Sequence, residues 1–200
     1  MLELTAVFES WHIGDGNYPP LHDGMLVNLS FQLEPEDIEL VDASSPLFLE
    51  HRGGAAYDFC AEVLRVYNRE DTNPLAILST GAFRYYIETA KARNLTTGLR
   101  VQGQGTLLLD YYVWVEYIAK YSDPPDIFFA LEVIGIRKVE IPESFIHRHD
   151  KGKSHPTRVA PADFGTITDL STMEGQKFDE EFYLINFRES SRPDIPRTFL

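Results

Sequence analysis

The feature that most constrains the fold is the alternation of apolar and polar side chains in MLVNLSFQL, residues 25–33. The odd positions are apolar throughout, whereas the even positions from Asn28 to Gln32 are polar. Successive side chains of a β-strand point to opposite faces of a sheet. The alternation therefore predicts a strand with one buried face and one face in solvent.

Further stretches rich in β-branched and aromatic residues, separated by Gly, Pro, Asn and Asp clusters, predict several more strands. One runs from residue 2 to about Ile13, and another covers residues 55–68, whose apolar positions also fit a helical stripe. Gly103 and Gly105, inside the long apolar segment 99–117, predict a bulge or a sharp bend. The remaining predicted strands are LAILST, FRYYIET, IFFALEVIGIRKVEI and EFYLINFRE.

Many short strands without a convincing long helix predict an all-β fold, or a β-dominated α+β fold, built as an antiparallel barrel or sandwich. Residues 59–110 have the strand-and-turn rhythm of an oligonucleotide/oligosaccharide-binding (OB) barrel, although no family motif carries this likeness. With 200 residues and 44% hydrophobic content, a single β-rich domain spanning 1–200 can bury a sizeable core. We expect a polar, basic excursion at 143–165 and an extended C-terminal tail at 190–200.

The formal net charge of −13 narrows the classes of partner. It opposes the approach of a phosphate backbone and speeds the encounter with a cationic protein, so a basic protein partner is expected and nucleic acid is not. The N-terminal sequence MLELTAVFES lacks the features of a signal peptide, and no apolar run is long enough to cross a bilayer. With a single cysteine, Cys60, these features predict a cytoplasmic protein that does not enter a membrane.

The opening loop, WHIGDGNYPPLHDG at residues 11–24, is the densest patch of potentially chemical residues. Turn geometry explains most of it, because its glycines and asparagine accept positive φ and its two prolines stiffen the chain. The residues left over are candidates for contact with a ligand or partner, while the alternative is packing of the aromatic side chains over the end of a barrel. They are Trp11, His12, Tyr18 and His22.

Two other groups of residues are candidates for a site. The aromatic run after Leu109 places Tyr112 and Trp114 on one strand face, which is either core or a surface for stacking on sugars, bases or a protein. His147 and His149 are the candidate metal ligands of the basic segment 147–158, but closed zinc sites usually show two ligand pairs. We therefore expect no metal and no cofactor, and no residue is assigned a catalytic role.

The leading hypothesis is a non-enzymatic acidic binding module of the inhibitor, immunity or assembly-subunit type, which engages a basic protein. The first alternative is a metal-assisted hydrolase that uses His12 and His22 or His147 and His149. The second alternative is a barrel that binds a single-stranded nucleic acid or a sugar.

Overall fold

A computed structural model describes residues 1–68, 72–109, 113, 118–121, 123–140, 165–174, 181–192 and 194–196. Strands hold 55% of these residues and helices 8%, which confirms the prediction of a strand-dominated fold. The elements in chain order are β1 (Glu3–Glu9), α1 (Trp11–Gly14), β2 (Leu26–Leu29), β3 (Phe31–Val41), β4 (Phe48–Gly53), β5 (Ala56–Tyr67), β6 (Leu75–Ser79), β7 (Arg84–Glu88), a 3-10 helix (Ala90–Asn94), β8 (Arg100–Leu109), a 3-10 helix (Ile118–Lys120), β9 (Phe129–Val139), β10 (Ile167–Leu170) and β11 (Phe182–Glu189).

The alternation at residues 25–33 marks two consecutive strands, β2 and β3, with Ser30 between them. The prediction of a first strand reaching Ile13 was wrong, because β1 ends at Glu9 and α1 follows. Ser10 accounts for the change of direction. Its backbone N–H donates to the carbonyl oxygen of Glu181, and its own carbonyl oxygen accepts from the N–H of Ile13 at 3.0 Å. The chain thus exchanges strand pairing for local helical hydrogen bonds.

The chain divides into two compact units. Unit 1 comprises Met1–Leu29, Gly53–Ala55 and Phe129–Leu200, and its internal strand pairs are antiparallel. β9 pairs along its length with β11, which in turn pairs with β1. The other edge of β9 is shared by β2 and β10. Large buried side chains of this unit are Phe8, Leu21, Leu29, Tyr183 and Phe187.

Unit 2 comprises Ser30–Arg52 and Ala56–Phe128. Antiparallel pairs join β5 to β6, β6 to β7, β5 to β8 and β3 to β8, and β3 also pairs with β7. Each of these five strands therefore pairs with two others of the set. The pairing of β3 with β7 is parallel, at Gln32 and Tyr86, which corrects the prediction of a purely antiparallel sheet. The fully buried aromatic side chains of unit 2 include Phe31, Phe59, Phe83, Tyr85 and Tyr86.

The glycines of β8 lie beside an irregularity, as predicted, although the bulge itself is in the neighbouring strand. The register of β3 against β8 shifts between Pro35 and Asp37. A Cβ atom at Gly103 would overlap the carbonyl oxygen of Asp37, and one at Gly105 would lie 2.5 Å from that of Glu34. Proline in a sheet is found at edges and bulges because it has no N–H to donate. Pro35 and the two glycines thus allow β3 and β8 to approach closely at the bulge.

The predicted basic excursion at 143–165 lies outside the described residues except for Gly165. Part of the predicted C-terminal tail is described, and it is attached to unit 1. The Ser190 N–H donates to the carbonyl oxygen of Ala130, and the Asn28 side-chain amide donates to that of Ile195 at 2.7 Å. Among the described residues, no helix has the length and apolar character needed to span a membrane.

Candidate functional site

The opening loop brings three of its four candidate residues together in unit 1. Trp11 and His12 lie on α1, and their rings stack with centroids 3.8 Å apart. The edge of Tyr18 meets the His12 ring at 5.7 Å, and Phe8 of β1 contacts both His12 and Tyr18, at 5.7 and 5.4 Å. The cluster forms because the single turn of α1 folds back over the end of β1.

Burial controls the chemistry of His12. Its side chain is 4% exposed, and removal from water lowers its pKa from 6.5 to about 4, although the nearby Asp15 carboxylate raises it in part. Burial disfavours the charged form of an imidazole because the imidazolium loses its hydration. His12 is therefore neutral at neutral pH and serves as a stacked ring of the cluster.

Trp11 and His22 remain at the surface, but in different settings. Trp11 is 40% exposed, and its indole N–H donates to a carboxylate oxygen of Glu9 at 2.6 Å, which orients the ring. His22 is exposed and forms an isolated bridge with Thr172, and its Nδ1 lies 3.0 Å from the carbonyl oxygen of Asp23. Tyr18 is 3% exposed. Trp11 is thus the aromatic candidate of this loop that solvent reaches.

The remaining candidates of the sequence analysis are Tyr112, Trp114, His147 and His149, and all four lie outside the described residues. Within the described ranges, no three His, Cys, Asp or Glu side chains are grouped so that they could hold a metal ion. Cys60 is buried, and the loss of hydration raises its thiol pKa, which disfavours the nucleophilic thiolate.

A surface that the sequence analysis did not single out lies along the second half of β3. Glu36, Asp37 and Glu39 are all exposed, and Asp42 follows just beyond the strand. We call residues 36–42 the acidic edge. Its signal in the sequence is the run EPEDIELVD, which has five acids and no base. The charged residues of the surrounding sequence are also almost all acidic, since residues 1–64 contain twelve acidic residues and one basic residue, Arg52.

The pairing with β8 positions the acidic side chains. Asp37 lies opposite Gln104 and Glu39 opposite Gln102, so these side chains share one polar face. The Asp37 carboxylate accepts the backbone N–H of Gln104 at 3.1 Å, which fixes the strand just after its bulge. Asp42 accepts the N–H and the hydroxyl of Ser44 at 2.7 and 2.6 Å, and these hydrogen bonds lower its pKa.

Two basic side chains, Arg52 and Arg100, lie near this face. Arg52 contacts Asp58 at 3.6 Å and donates to the side chain of Gln104 at 2.6 Å. Arg100 donates to the carbonyl oxygen of Ser45, and its positive charge helps to lower the pKa of Asp42. Among the described residues, neither arginine forms an ion pair with Glu36 or Glu39. Glu36 and Glu39 are therefore exposed acidic side chains without either arginine as a partner in the described structure, whereas Arg100 partly offsets the charge of Asp42.

The acidic edge also carries an exposed apolar side chain and an open strand edge. Leu40 is 59% exposed, although the facing residue on β8, Val101, is fully buried. β8 pairs with β3 from Phe31 to Val41, whereas β7 reaches the opposite side of β3 at Gln32 alone. No other described strand pairs with β3.

Comparison of the chain with protein-family models, with curated proteins and with solved structures found no match.

Proposed function

We propose that the protein is a non-enzymatic acidic binding module that engages a basic protein partner. The observation that carries this proposal is the acidic edge, where three exposed carboxylates lie within four residues of one strand, Glu36–Glu39. Their charge adds to the field of a chain with a net charge of −13. Such a field raises the rate of encounter with a cationic surface and repels polyanions.

Trp11 is the candidate aromatic contact that the described structure leaves at the surface of unit 1. Aromatic side chains supply much of the binding energy of protein interfaces, because they bury a large area at a small entropy cost. The Glu9 carboxylate, which accepts the hydrogen bond from the indole N–H, adds negative charge beside Trp11. Tyr112 and Trp114 stay predictions for the same role.

We further infer that the five strands of unit 2 close into an OB-like barrel, which the two pairings of each strand support. OB barrels often bind single-stranded nucleic acids or sugars. The net charge favours a protein partner, since each phosphate of a nucleic acid would be repelled. A cytoplasmic location is part of the same proposal.

The proposal is tested with a fluorescent oligolysine peptide as a model basic partner. The double variant Glu36→Gln/Glu39→Gln removes two charges from the acidic edge, and Asp169→Asn/Glu174→Gln removes two exposed charges from unit 1 as a matched control. We expect the first variant to slow association about threefold or more and the control to change it less, with all rates falling as salt rises.

Equal effects of the two double variants would show that net charge alone acts, and would overturn the assignment of the site to the acidic edge. A random single-stranded DNA of similar length serves as the opposite probe. Binding of that DNA at neutral pH and moderate salt, without binding of the oligolysine, would overturn the proposed function.

A further inference from the structure

We propose that the acidic edge binds its partner by strand addition, and that it takes an extended peptide in which basic and apolar residues alternate. This inference rests on the proposed function and specifies the chemistry of the partner. It follows from three properties of β3: the backbone groups along its open side, the two faces of its side chains and the sign of its charge.

The backbone supplies the first argument. β8 covers one side of β3 along the whole strand, and β7 covers the other side at Gln32 alone. Beyond Pro35, which has no N–H to donate, residues 36–41 leave that side open to pairing, since no other described strand occupies it. An open strand edge presents N–H and C=O groups that an extended peptide can pair with. Six residues match the length of an ordinary strand.

The side chains supply the second argument. Asp37 and Glu39 point to the polar face with the glutamines of β8, whereas Ile38 and Leu40 point to the opposite face. An added strand places its side chains opposite those of its neighbour on each face. A peptide that complements both faces therefore has lysine or arginine at every second position and an apolar residue between them. Leu40, which is 59% exposed, offers the apolar contact.

Charge supplies the third argument, because it determines which strands are accepted. Charged side chains on an open edge protect a sheet against pairing with copies of itself. Here all the charges have one sign, so the same residues that repel a second copy of β3 attract a basic strand. Specificity of this kind combines attraction of the correct partner with repulsion of the wrong one.

The test uses seven-residue peptides with blocked ends. KVKVKVK alternates, and KKKKVVV has the same composition without the alternation. Alternate N–H groups of an edge strand point to its neighbour, so methylation of one alternate set of backbone nitrogens removes the pairing while methylation of the other set leaves it. We expect KVKVKVK to bind about tenfold more tightly than KKKKVVV. We also expect methylation of one alternate set of nitrogens to weaken KVKVKVK binding by a similar factor, because it removes a few backbone hydrogen bonds.

Protein variants locate the added strand. Leu40→Ser removes the apolar contact of the acidic edge, and Ile167→Ser is the matched control, since Ile167 is 45% exposed on β10. We expect Leu40→Ser to weaken KVKVKVK binding severalfold and Ile167→Ser to leave it unchanged. Both positions are exposed, so both variants should fold.

The outcomes separate this inference from the proposed function. If all the peptides bind equally and binding still depends on Glu36 and Glu39, the acidic module stands and strand addition is wrong. Strand addition is equally overturned if both methylated sets bind like the parent peptide, or if Leu40→Ser and Ile167→Ser behave alike. If no basic peptide binds at all, the proposed function fails together with the inference.

Discussion

The opening loop at residues 11–24 and the acidic edge at residues 36–42 both mix polar side chains with a few large apolar ones, but the two regions differ in which of these side chains are buried. In the loop, His12 and Tyr18 are buried, although both carry polar atoms. Along the edge, Glu36 and Glu39 are exposed and so is Leu40. A neutral ring with one or two polar atoms can be buried at moderate cost, whereas a carboxylate cannot give up its hydration without a partner.

The comparison implies that the buried rings of the loop and of β1 contribute more to stability than the exposed side chains of the edge. Phe8→Ala tests this most strongly, because Phe8 is fully buried and contacts the rings of His12 and Tyr18. We expect the free energy of unfolding, measured by urea denaturation, to fall by about 3–5 kcal/mol. Leu40→Ala at the exposed edge should change it by less than about 0.5 kcal/mol. Similar losses of unfolding free energy in Phe8→Ala and Leu40→Ala would show that the two regions do not differ in this way.

Acidification tests the burial of His12 itself. Its folded pKa of about 4 lies below the ordinary histidine pKa of 6.5, so the unfolded chain takes up the proton first as the pH falls. The stability that neutral His12 contributes is complete above pH 6.5 and is lost as the pH falls toward 4. The shift corresponds to about 3 kcal/mol.

The measurement compares urea unfolding at pH 7 and pH 4 in three proteins. His12→Phe keeps a ring in the cluster but cannot titrate, so it should lose about 3 kcal/mol less than the wild type between the two pH values. His22→Gln, which alters an exposed histidine, should behave like the wild type. If His12→Phe and the wild type lost the same unfolding free energy between pH 7 and pH 4, His12 would not be the cause of this pH dependence.

The smallest of the three effects concerns the backbone that shapes the acidic edge. An added Cβ at Gly103 would overlap the backbone carbonyl oxygen of Asp37, whereas one at Gly135 of β9 would lie 3.1 Å from the side-chain amide nitrogen of Asn186, a less severe contact. We expect Gly103→Ala to cost about 1–3 kcal/mol of unfolding free energy, and Gly135→Ala to cost less. If Gly135→Ala proved the more costly, the close approach of β3 and β8 at Gly103 would not be rigid.

Much of the fold was predictable because its signals are local. The strand composition of residues 55–68 predicts β5, and the glycines of β8 predict the nearby irregularity. The end of β1 was not predictable, because the hydrogen bonds that hold Ser10 come from Glu181, far along the chain. The parallel pairing of Gln32 with Tyr86 likewise has no local signal.

The candidate site was predictable in part. Aromatic and polar residues together identified the opening loop, and Trp11, His12 and Tyr18 do meet there. The run of acids at 34–42 was visible in the sequence, but its importance depends on facts that tertiary pairing decides. These are the open side of β3 and the exposure of Leu40 on what would otherwise be a core-facing position.

The pairing of β1 with β11 has a consequence for the order of assembly during translation. Glu3 pairs with Arg188, whereas the strands of unit 2 are all contained in residues 31–109. Ribosomes add roughly 5–20 residues per second, so β11 is made about ten seconds or longer after β1. Unit 2 can complete its sheet in that interval, before β11 is available to pair with β1.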